Sequence, residues 1–134
     1  MFDKNKSNKA LKEVQEILSE NNSDFEVYDE QNKATSYQDY DLVLVIGGDG
    51  SMLSAAKLFS HINCPFLGVN LGKVGFMADL DSETLSTELV EVLSGNNLVE
   101  DKETISCSYN GKSYTAFNEI VLHTQKSYKL MHFE

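Results

Sequence analysis

The sequence predicts a parallel α/β sheet followed by a short antiparallel β region. Two observations predict the first part: short apolar runs typical of buried strands alternate with segments whose apolar residues recur at helical spacing. This alternating order of strands and helices is typical of a parallel sheet with crossover helices. A third observation predicts the second part, because an Asn-Gly pair separates two strand-like segments near the C-terminus, which is the pattern of a tight hairpin.

The first predicted element is a helix over about Ser7–Glu20, which Asn21 and Asn22 should end. Its apolar face consists of Leu11, Val14, Ile17 and Leu18. Apolar and acidic residues alternate over Phe25–Tyr28, which predicts a short, half-exposed strand. The polar stretch Asp29–Gln38 is predicted to be a loop.

The next elements should build the parallel sheet. The run Leu42–Ile46 is entirely aliphatic and holds three β-branched residues, so we expect a strand covered on both faces at the centre of the sheet. A glycine turn follows, and helical spacing predicts a helix over Ser51–Phe59. Pro65–Val69 is predicted to be a second strand, and Asn70–Gly75 a second turn that contains glycine.

The last helix of the α/β part is predicted over Ser82–Leu93 and should end at Gly95. The polar stretch Asn96–Lys102 is linker-like. We therefore predict an α/β domain over residues 1–101 and the start of a β domain over residues 102–134.

The predicted β region begins with a hairpin. Ile105–Tyr109 and Tyr114–Phe117 flank the Asn110-Gly111 pair, which is typical of a type I′ turn, and Ile120–Leu122 should continue as a strand. Another extended run begins at Leu130 and stops at Glu134 without a turn. We therefore expect this β domain to be incomplete.

Composition and charge exclude several classes of protein. With 134 residues, 41% of them hydrophobic and one proline, the chain is globular and holds at most one complete domain. Its net charge of −10 disfavours binding to nucleic acid or to anionic membranes. Cys64 and Cys107 are too few for a disulfide scaffold, and no apolar leader or membrane span is visible. We therefore expect a cytoplasmic protein with reduced thiols.

The glycine-rich segment Gly47-Gly48-Asp49-Gly50-Ser51 is the main candidate site. It lies between a predicted strand and a predicted helix, where free amides and the helix dipole attract phosphate. Glycines there let a phosphate approach the backbone without meeting a Cβ atom. We therefore predict that Gly47 and Gly48 bind phosphate.

Two common nucleotide motifs do not fit this segment. A Walker A loop would require a Gly-Lys-Ser/Thr ending, which is absent. A dinucleotide fingerprint would require a third glycine where Leu53 stands, and an acidic residue about where Asn70 stands. The sequence therefore disfavours an enzyme that transfers hydride.

Asp49 is the candidate catalytic residue. A carboxylate at this position could accept a proton from a substrate hydroxyl, or hold a cation that bridges phosphates. The alternative is a tight turn in which Asp49 or Ser51 only caps the helix. Because the chain is strongly acidic, bound phosphates need local compensation, and we expect a divalent cation, Mg²⁺, as cofactor.

Two further segments could join the same site. Asn70–Phe76 follows the next parallel strand, so it should emerge at the same edge of the sheet. Phe76 could stack on a purine and Lys73 could neutralise phosphate, although a core phenylalanine and a surface lysine are the simpler alternatives. Asn118 and Glu119 interrupt an apolar run and could bind ribose hydroxyls, although an edge strand would also tolerate them.

Three segments in this order resemble the NAD kinase family. They are Gly47–Leu53, Asn70–Phe76 with Ala78-Asp79-Leu80, and Phe117–His123. The resemblance implies a Rossmann-like N-terminal α/β domain followed by a β domain. It also implies transfer of a phosphoryl group from ATP or polyphosphate to the 2′-hydroxyl of the adenosine ribose of NAD, in a cytoplasmic homo-oligomer.

The resemblance also implies roles for individual residues. Asp49 corresponds to the proton acceptor, and Gly47 and Gly48 to the glycines on the phosphate side. The residues that correspond to contacts with NAD are Asp49, Gly50, Phe76, Asn118, Glu119 and Lys129. His61, His123 and His132 show no spacing of a metal site or catalytic triad and are assigned no role.

The sequence departs from the family pattern at both ends. Family members begin with a strand before the first helix, and residues 1–6 are too few and too polar for a buried strand. Most of the C-terminal β domain is also absent, so the chain resembles about half of such an enzyme. The alternatives are a non-catalytic nucleotide-binding fragment, or a kinase of the diacylglycerol kinase or phosphofructokinase type that shares only the glycine loop.

Overall fold

The structure is a computed structural model that describes residues 4–28, 40–72, 77 and 79–121. The predicted loop Asp29–Gln38, the candidate residues Lys73, Phe76 and Lys129, and the run after Val121 lie outside the described residues. The described residues divide into two compact units, one that ends at Val99 and one that begins at Glu100.

The first unit has the parallel α/β architecture that the sequence predicts. Its elements are α1 (Lys4–Glu20), β1 (Val43–Ile46), α2 (Asp49–Leu58), β2 (Phe66–Asn70), β3 (Leu80–Asp81) and α3 (Leu85–Leu93). Helix α2 begins at Asp49, two residues before the predicted start, so the glycine turn is shorter than expected. The two-residue strand β3 was not predicted from the sequence.

The sheet has the order β1-β2-β3, and both neighbouring pairs are parallel. Val43 pairs with Phe66 at one end of β1, and Ile46 pairs with Val69 at the other. Within the described residues, the run Leu42–Ile46 therefore lies at one side of the sheet and not at its predicted centre. Strand β2 is central because it has a neighbour on each side, and its last four residues are buried, whereas all four residues of β1 are only half-buried.

The prediction of a strand over Phe25–Tyr28 is also wrong, because residues 23–28 carry no regular secondary structure. Side chains hold this segment instead. The Tyr40 hydroxyl donates a hydrogen bond to Glu26 Oε2 at 2.6 Å, and the Tyr28 ring meets the Phe59 ring edge-on at a centroid distance of 5.1 Å. An alternating sequence becomes a strand only where a neighbouring strand pairs with it, and no ladder to this segment is present within the described residues.

The main core lies between one face of the sheet and helices α1 and α3. It consists of Val14, Ile17, Leu67, Val69, Leu80, Leu85 and Leu89. The apolar face predicted for the first helix is thus confirmed at Val14 and Ile17. Met52 and Ala56 of α2 are buried outside this cluster, and α2 contacts β1.

The last helix of the first unit ends as the sequence predicts. The Ser94 and Gly95 amides bond to carbonyls of the final turn, and Gly95 adopts a positive φ of 83°. Glycine is favoured here because other residues rarely adopt this left-handed conformation.

The second unit contains the predicted hairpin. Strands β4 (Ile105–Tyr109) and β5 (Lys112–Ala116) are antiparallel, and the two turn residues have positive φ values, 49° at Asn110 and 72° at Gly111. This confirms the prediction from the Asn-Gly pair, because a type I′ turn needs positive φ at both central residues. The strand predicted over Ile120–Leu122 is absent at its two described residues, Ile120 and Val121, which pair with no strand.

Helices long and apolar enough to cross a membrane do not occur among the described residues.

Candidate functional site

The glycine-rich segment lies at the carboxyl end of β1. Gly47 is buried, and its amide donates to the Val69 carbonyl at 2.9 Å, which keeps it in register with β2. Gly48 is the N-cap of α2, with φ −103° and ψ −169°, and Asp49 and Gly50 form the start of the helix. The segment therefore leads from the sheet directly into a helix N-terminus.

The start of α2 has the features of an anion-attracting helix end. The Gly48 carbonyl accepts hydrogen bonds from the Ser51 and Met52 amides at 2.9 and 3.1 Å. No side chain caps the helix at Gly48. The positive end of the helix dipole thus lies at the carboxyl edge of the sheet, where ligands of open α/β sheets bind.

The glycines at this edge are not required by the fold of the chain itself. Neither Gly48 nor Gly50 has a positive φ, and a Cβ atom built on either would meet no heavy atom within 4 Å. The same open space surrounds Gly72, which follows β2. These glycines therefore leave room beside the backbone that nothing among the described residues fills.

A hydrogen bond links the two loops that follow β1 and β2. The Met77 amide donates to Asp49 Oδ1 at 3.0 Å across a sequence separation of 28 residues, in a partly buried position. This contact agrees with the expectation that both loops emerge at one edge of the sheet. It also fixes one oxygen of the candidate catalytic carboxylate.

The second loop starts from a buried polar residue that was not among the predicted site residues. Asn70 is 6% exposed, and its Oδ1 accepts the Gly72 amide at 2.9 Å. At the end of this loop, Asp79 forms two hydrogen bonds with Gly68 of β2. The Asp79 amide donates to the Gly68 carbonyl at 2.9 Å, and Asp79 Oδ2 accepts the Gly68 amide at 3.2 Å. The Asn-x-Gly spacing was the one available signal for the first of these contacts.

The other predicted site residues lie in the second unit or outside the described residues. Asn118 and Glu119 belong to the second unit, where both are exposed and lie outside a strand. Neither residue therefore lies in an edge strand, which was the alternative considered for them. Phe76 and Lys129 lie outside the described residues.

The described residues provide no ready-made metal cage. No group of three or more His, Cys, Asp or Glu side chains comes together among them. Asp49 is the carboxylate at the glycine edge. This set of donors fits a cation such as Mg²⁺ only if the phosphates of a ligand supply most of the oxygens, which is the usual way Mg²⁺ is bound with nucleotides.

The chain is an open α/β protein: it has a parallel sheet with helices between the strands. At the carboxyl edge of this sheet, a carboxylate between two glycines lies at the start of a helix. Residues 2–97 match the ATP-NAD kinase N-terminal domain. The chain belongs to the NAD kinase family, as the three sequence motifs indicated.

Similar proteins in other organisms carry the same family name. The chain is 38% identical over 96 residues to the NAD kinase of Methanothermobacter thermautotrophicus. The aligned region covers 72% of this chain and 34% of that protein. It is 41% identical over 99 residues to the NAD kinase of Buchnera aphidicola. This alignment covers 70% of this chain and 34% of that protein. The chain thus spans about a third of the length of these relatives.

Proposed function

We propose that this chain forms the phosphate-binding part of an NAD kinase, which transfers a phosphoryl group from ATP or polyphosphate to the 2′-hydroxyl of the adenosine ribose of NAD and so forms NADP. One observation carries the proposal: Asp49 stands at the start of α2 between two glycines with open space beside them, and the Met77 amide holds its carboxylate. Membership of the NAD kinase family supports the choice of substrates.

In this reaction Asp49 acts as the proton acceptor. The ribose hydroxyl gives its proton to the carboxylate while its oxygen bonds to the terminal phosphorus of the donor, and the bond from that phosphorus to the leaving ADP oxygen breaks. A carboxylate has about four acceptor positions, so one that accepts the Met77 amide can also accept a hydroxyl. That bond also limits rotation of the carboxylate, which orients it in advance.

The backbone at the helix start binds the phosphates. Gly48 lets phosphate oxygens approach the main-chain amides at the start of α2, and the helix dipole stabilises the negative charge. Gly47 precedes it in the same turn, with its own amide bonded to the Val69 carbonyl. This local attraction is needed because the whole chain carries a net charge of −10. Mg²⁺ would reduce the charge of the donor phosphates, whose own oxygens would supply most of its ligands.

The dinucleotide is held by the remaining candidates. Gly50 adjoins the substrate beside Asp49, Phe76 packs on the adenine, and Asn118, Glu119 and Lys129 contact NAD. The support for these roles is the position of each residue in its motif. The same resemblance supports a homo-oligomeric, cytoplasmic enzyme, and the net charge of −10 disfavours binding to nucleic acid or membranes.

NADP formation tests the function directly. The chain is incubated with NAD, ATP and MgCl₂, and NADP is measured with an NADP-specific dehydrogenase. Asp49→Asn is the matched variant, because the side-chain oxygen of asparagine can still accept a hydrogen bond from the Met77 amide. We expect NADP from the native chain and a loss of about 10²-fold or more in Asp49→Asn, with NAD binding retained. Full turnover by Asp49→Asn would refute the role of the carboxylate.

A second candidate is nucleotide binding without catalysis, because the chain spans about a third of its relatives. Calorimetry with NAD and with ATP separates the two functions: binding of either ligand without NADP formation favours the binding module. Phosphorylation of diacylglycerol or of a sugar phosphate, without NAD activity, would instead favour the kinases that share only the glycine loop.

A further inference from the structure

Asp79 lies in one of the motifs that indicate the NAD kinase family, but it is not among the residues proposed to contact a substrate. Although the residue is exposed, it is tied to the sheet by two hydrogen bonds. The Asp79 amide donates to the Gly68 carbonyl at 2.9 Å, and Asp79 Oδ2 accepts the Gly68 amide at 3.2 Å. We name this pair of bonds the Asp79 clamp. It fastens the end of the second loop to the middle of β2.

The clamp pairs both backbone groups of a buried residue. Gly68 is buried, and buried backbone amides and carbonyls are costly to leave without partners. Strand β3 has two residues, and the first of them, Leu80, pairs with Val69, so the ladder begins one residue after Gly68. The carboxylate of Asp79 therefore takes the place of a strand acceptor and extends this short ladder toward the loop.

The clamp and the bond from Met77 to Asp49 close a ring of short connections. Gly68 lies opposite Val45 in the register of β1 and β2, and Asp49 follows Val45 by four residues. On the other side, Met77 precedes Asp79 by two residues, and its amide donates to Asp49 Oδ1 at 3.0 Å. Two residues span at most about 7 Å, so a fixed Asp79 restricts where the Met77 amide can lie. The clamp thus helps to place the donor that holds the candidate catalytic carboxylate.

The backbone of Asp49 is held by other contacts. The Gly47 amide bonds to the Val69 carbonyl on the β1 side of β2. The Gly48 carbonyl accepts the Ser51 amide at the start of α2. Because these bonds do not pass through the second loop, loss of the clamp should leave the helix start in place and release the orientation of the Asp49 carboxylate.

We propose that Asp79 is a positioning residue for the proton acceptor Asp49, an inference that rests on the proposed NAD kinase reaction. Through Gly68 and Met77, the Asp79 clamp keeps the Asp49 carboxylate in the orientation that receives the proton of the ribose hydroxyl. This favours the chemical step, because the carboxylate does not have to be oriented during the reaction. Since the clamp needs a hydrogen-bond acceptor at residue 79 and not a charge, asparagine should replace aspartate there.

Substitutions at two aspartates separate the clamp from other effects. Asp79→Ala removes the acceptor, and Asp79→Asn keeps an oxygen that can accept the Gly68 amide. Asp81→Ala is the matched control, because Asp81 is also exposed and its Oδ1 accepts a backbone amide, that of Glu83, on the side of α3. Asp79→Glu keeps the charge but moves the acceptor by one methylene, so it replaces Asp79→Ala if that variant does not fold and should have the same effect.

Hydrogen exchange of single amides, measured by NMR, is the first readout and needs no turnover. We expect the Met77 amide to exchange about tenfold or more faster in Asp79→Ala than in the native chain, and within about twofold of native in Asp79→Asn and Asp81→Ala. The Gly47 amide is the internal reference and should stay protected, because a general loss of stability would expose both amides. In Asp49→Ala, which already lacks the acceptor of the Met77 amide, adding Asp79→Ala should change Met77 exchange little.

NADP formation is the second readout. With NAD, ATP and MgCl₂, we expect Asp79→Ala to lower kcat about tenfold or more while the KM for NAD changes by less than about threefold, and Asp79→Asn to retain most of the native kcat. Unchanged Met77 exchange in Asp79→Ala, unchanged kcat of that variant in an active chain, or an equal effect of Asp79→Ala and Asp79→Asn would each overturn the inference. Absence of NADP formation by the native chain would count against the proposed function alone, since the exchange of Met77 still decides whether Asp79 positions Asp49.

Discussion

The hydrogen bond between the Met77 amide and Asp49 predicts different effects for two substitutions of the same aspartate. Asp49→Ala removes the acceptor and leaves the partly buried Met77 amide without its partner. Hydrogen bonds to charged groups contribute about 1.5–3 kcal/mol when buried, so at this partly buried position we expect a loss of about 1–2 kcal/mol in the free energy of unfolding.

Asp49→Asn should cost less. The asparagine oxygen can still accept the Met77 amide, and the variant loses mainly the favourable charge at the start of α2. That charge is worth about 0.3–1 kcal/mol at a helix N-terminus. The order of stability should therefore be native, then Asp49→Asn, then Asp49→Ala.

Urea unfolding followed by circular dichroism measures these differences. Asp24→Ala is the control, because Asp24 is exposed in the same unit and its loss should change stability by about 0.5 kcal/mol or less. The reasoning is refuted if Asp49→Ala is as stable as the native chain, or if Asp49→Asn is no more stable than Asp49→Ala. Either result would mean that the 3.0 Å contact does not contribute to folding.

Three further predictions concern the glycine edge, the core and a thiol. Gly50→Ala adds a methyl group in open space on the first turn of α2, so it should stabilise the chain by about 0.4–1 kcal/mol in urea unfolding. The same methyl group should weaken NAD binding in calorimetry, and unchanged NAD affinity would contradict the proposed place of Gly50 against the substrate. Leu89 is fully buried, so Leu89→Ala should cost about 2–5 kcal/mol in the same unfolding assay, against about 0.5 kcal/mol or less for the fully exposed control Leu98→Ala. Burial raises the pKa of the Cys64 thiol, and the negative charge of Asp41 raises it further. Iodoacetamide should therefore alkylate Cys64 more slowly than a peptide cysteine at about pH 8, and the rate should increase as the pH rises. Equal rates for Cys64 and the peptide cysteine would show that the thiol is not shielded.

Local patterns in the sequence were sufficient for much of the fold. The helical spacing around Val14 and Ile17 predicted the buried face of α1, and the Asn110-Gly111 pair predicted both positive φ values of the hairpin. Gly95 marked the end of α3 in the same way. These predictions succeeded because each depends on the conformational preference or periodicity of residues that are close together in the chain.

Pairing between strands was not predictable from the same patterns. The aliphatic run Leu42–Ile46 was predicted to be central, yet β2 occupies that position among the described strands. Residues 25–28 alternate like a strand but pair with none within the described residues, and Ile120 and Val121 likewise lie outside any strand. A strand exists only through hydrogen bonds to a neighbour, and a segment's own sequence does not specify which neighbour it finds.

For the candidate site, the sequence by itself determined which residues are present and their order: a carboxylate between glycines at the end of a strand, in a motif order that indicates the NAD kinase family. Only the tertiary structure decided that the Met77 amide holds Asp49, that the glycines face open space, and that Asn70 is buried. The physical reason is that these properties depend on atoms far apart in sequence, which meet only when parallel strands bring their carboxyl ends to one edge.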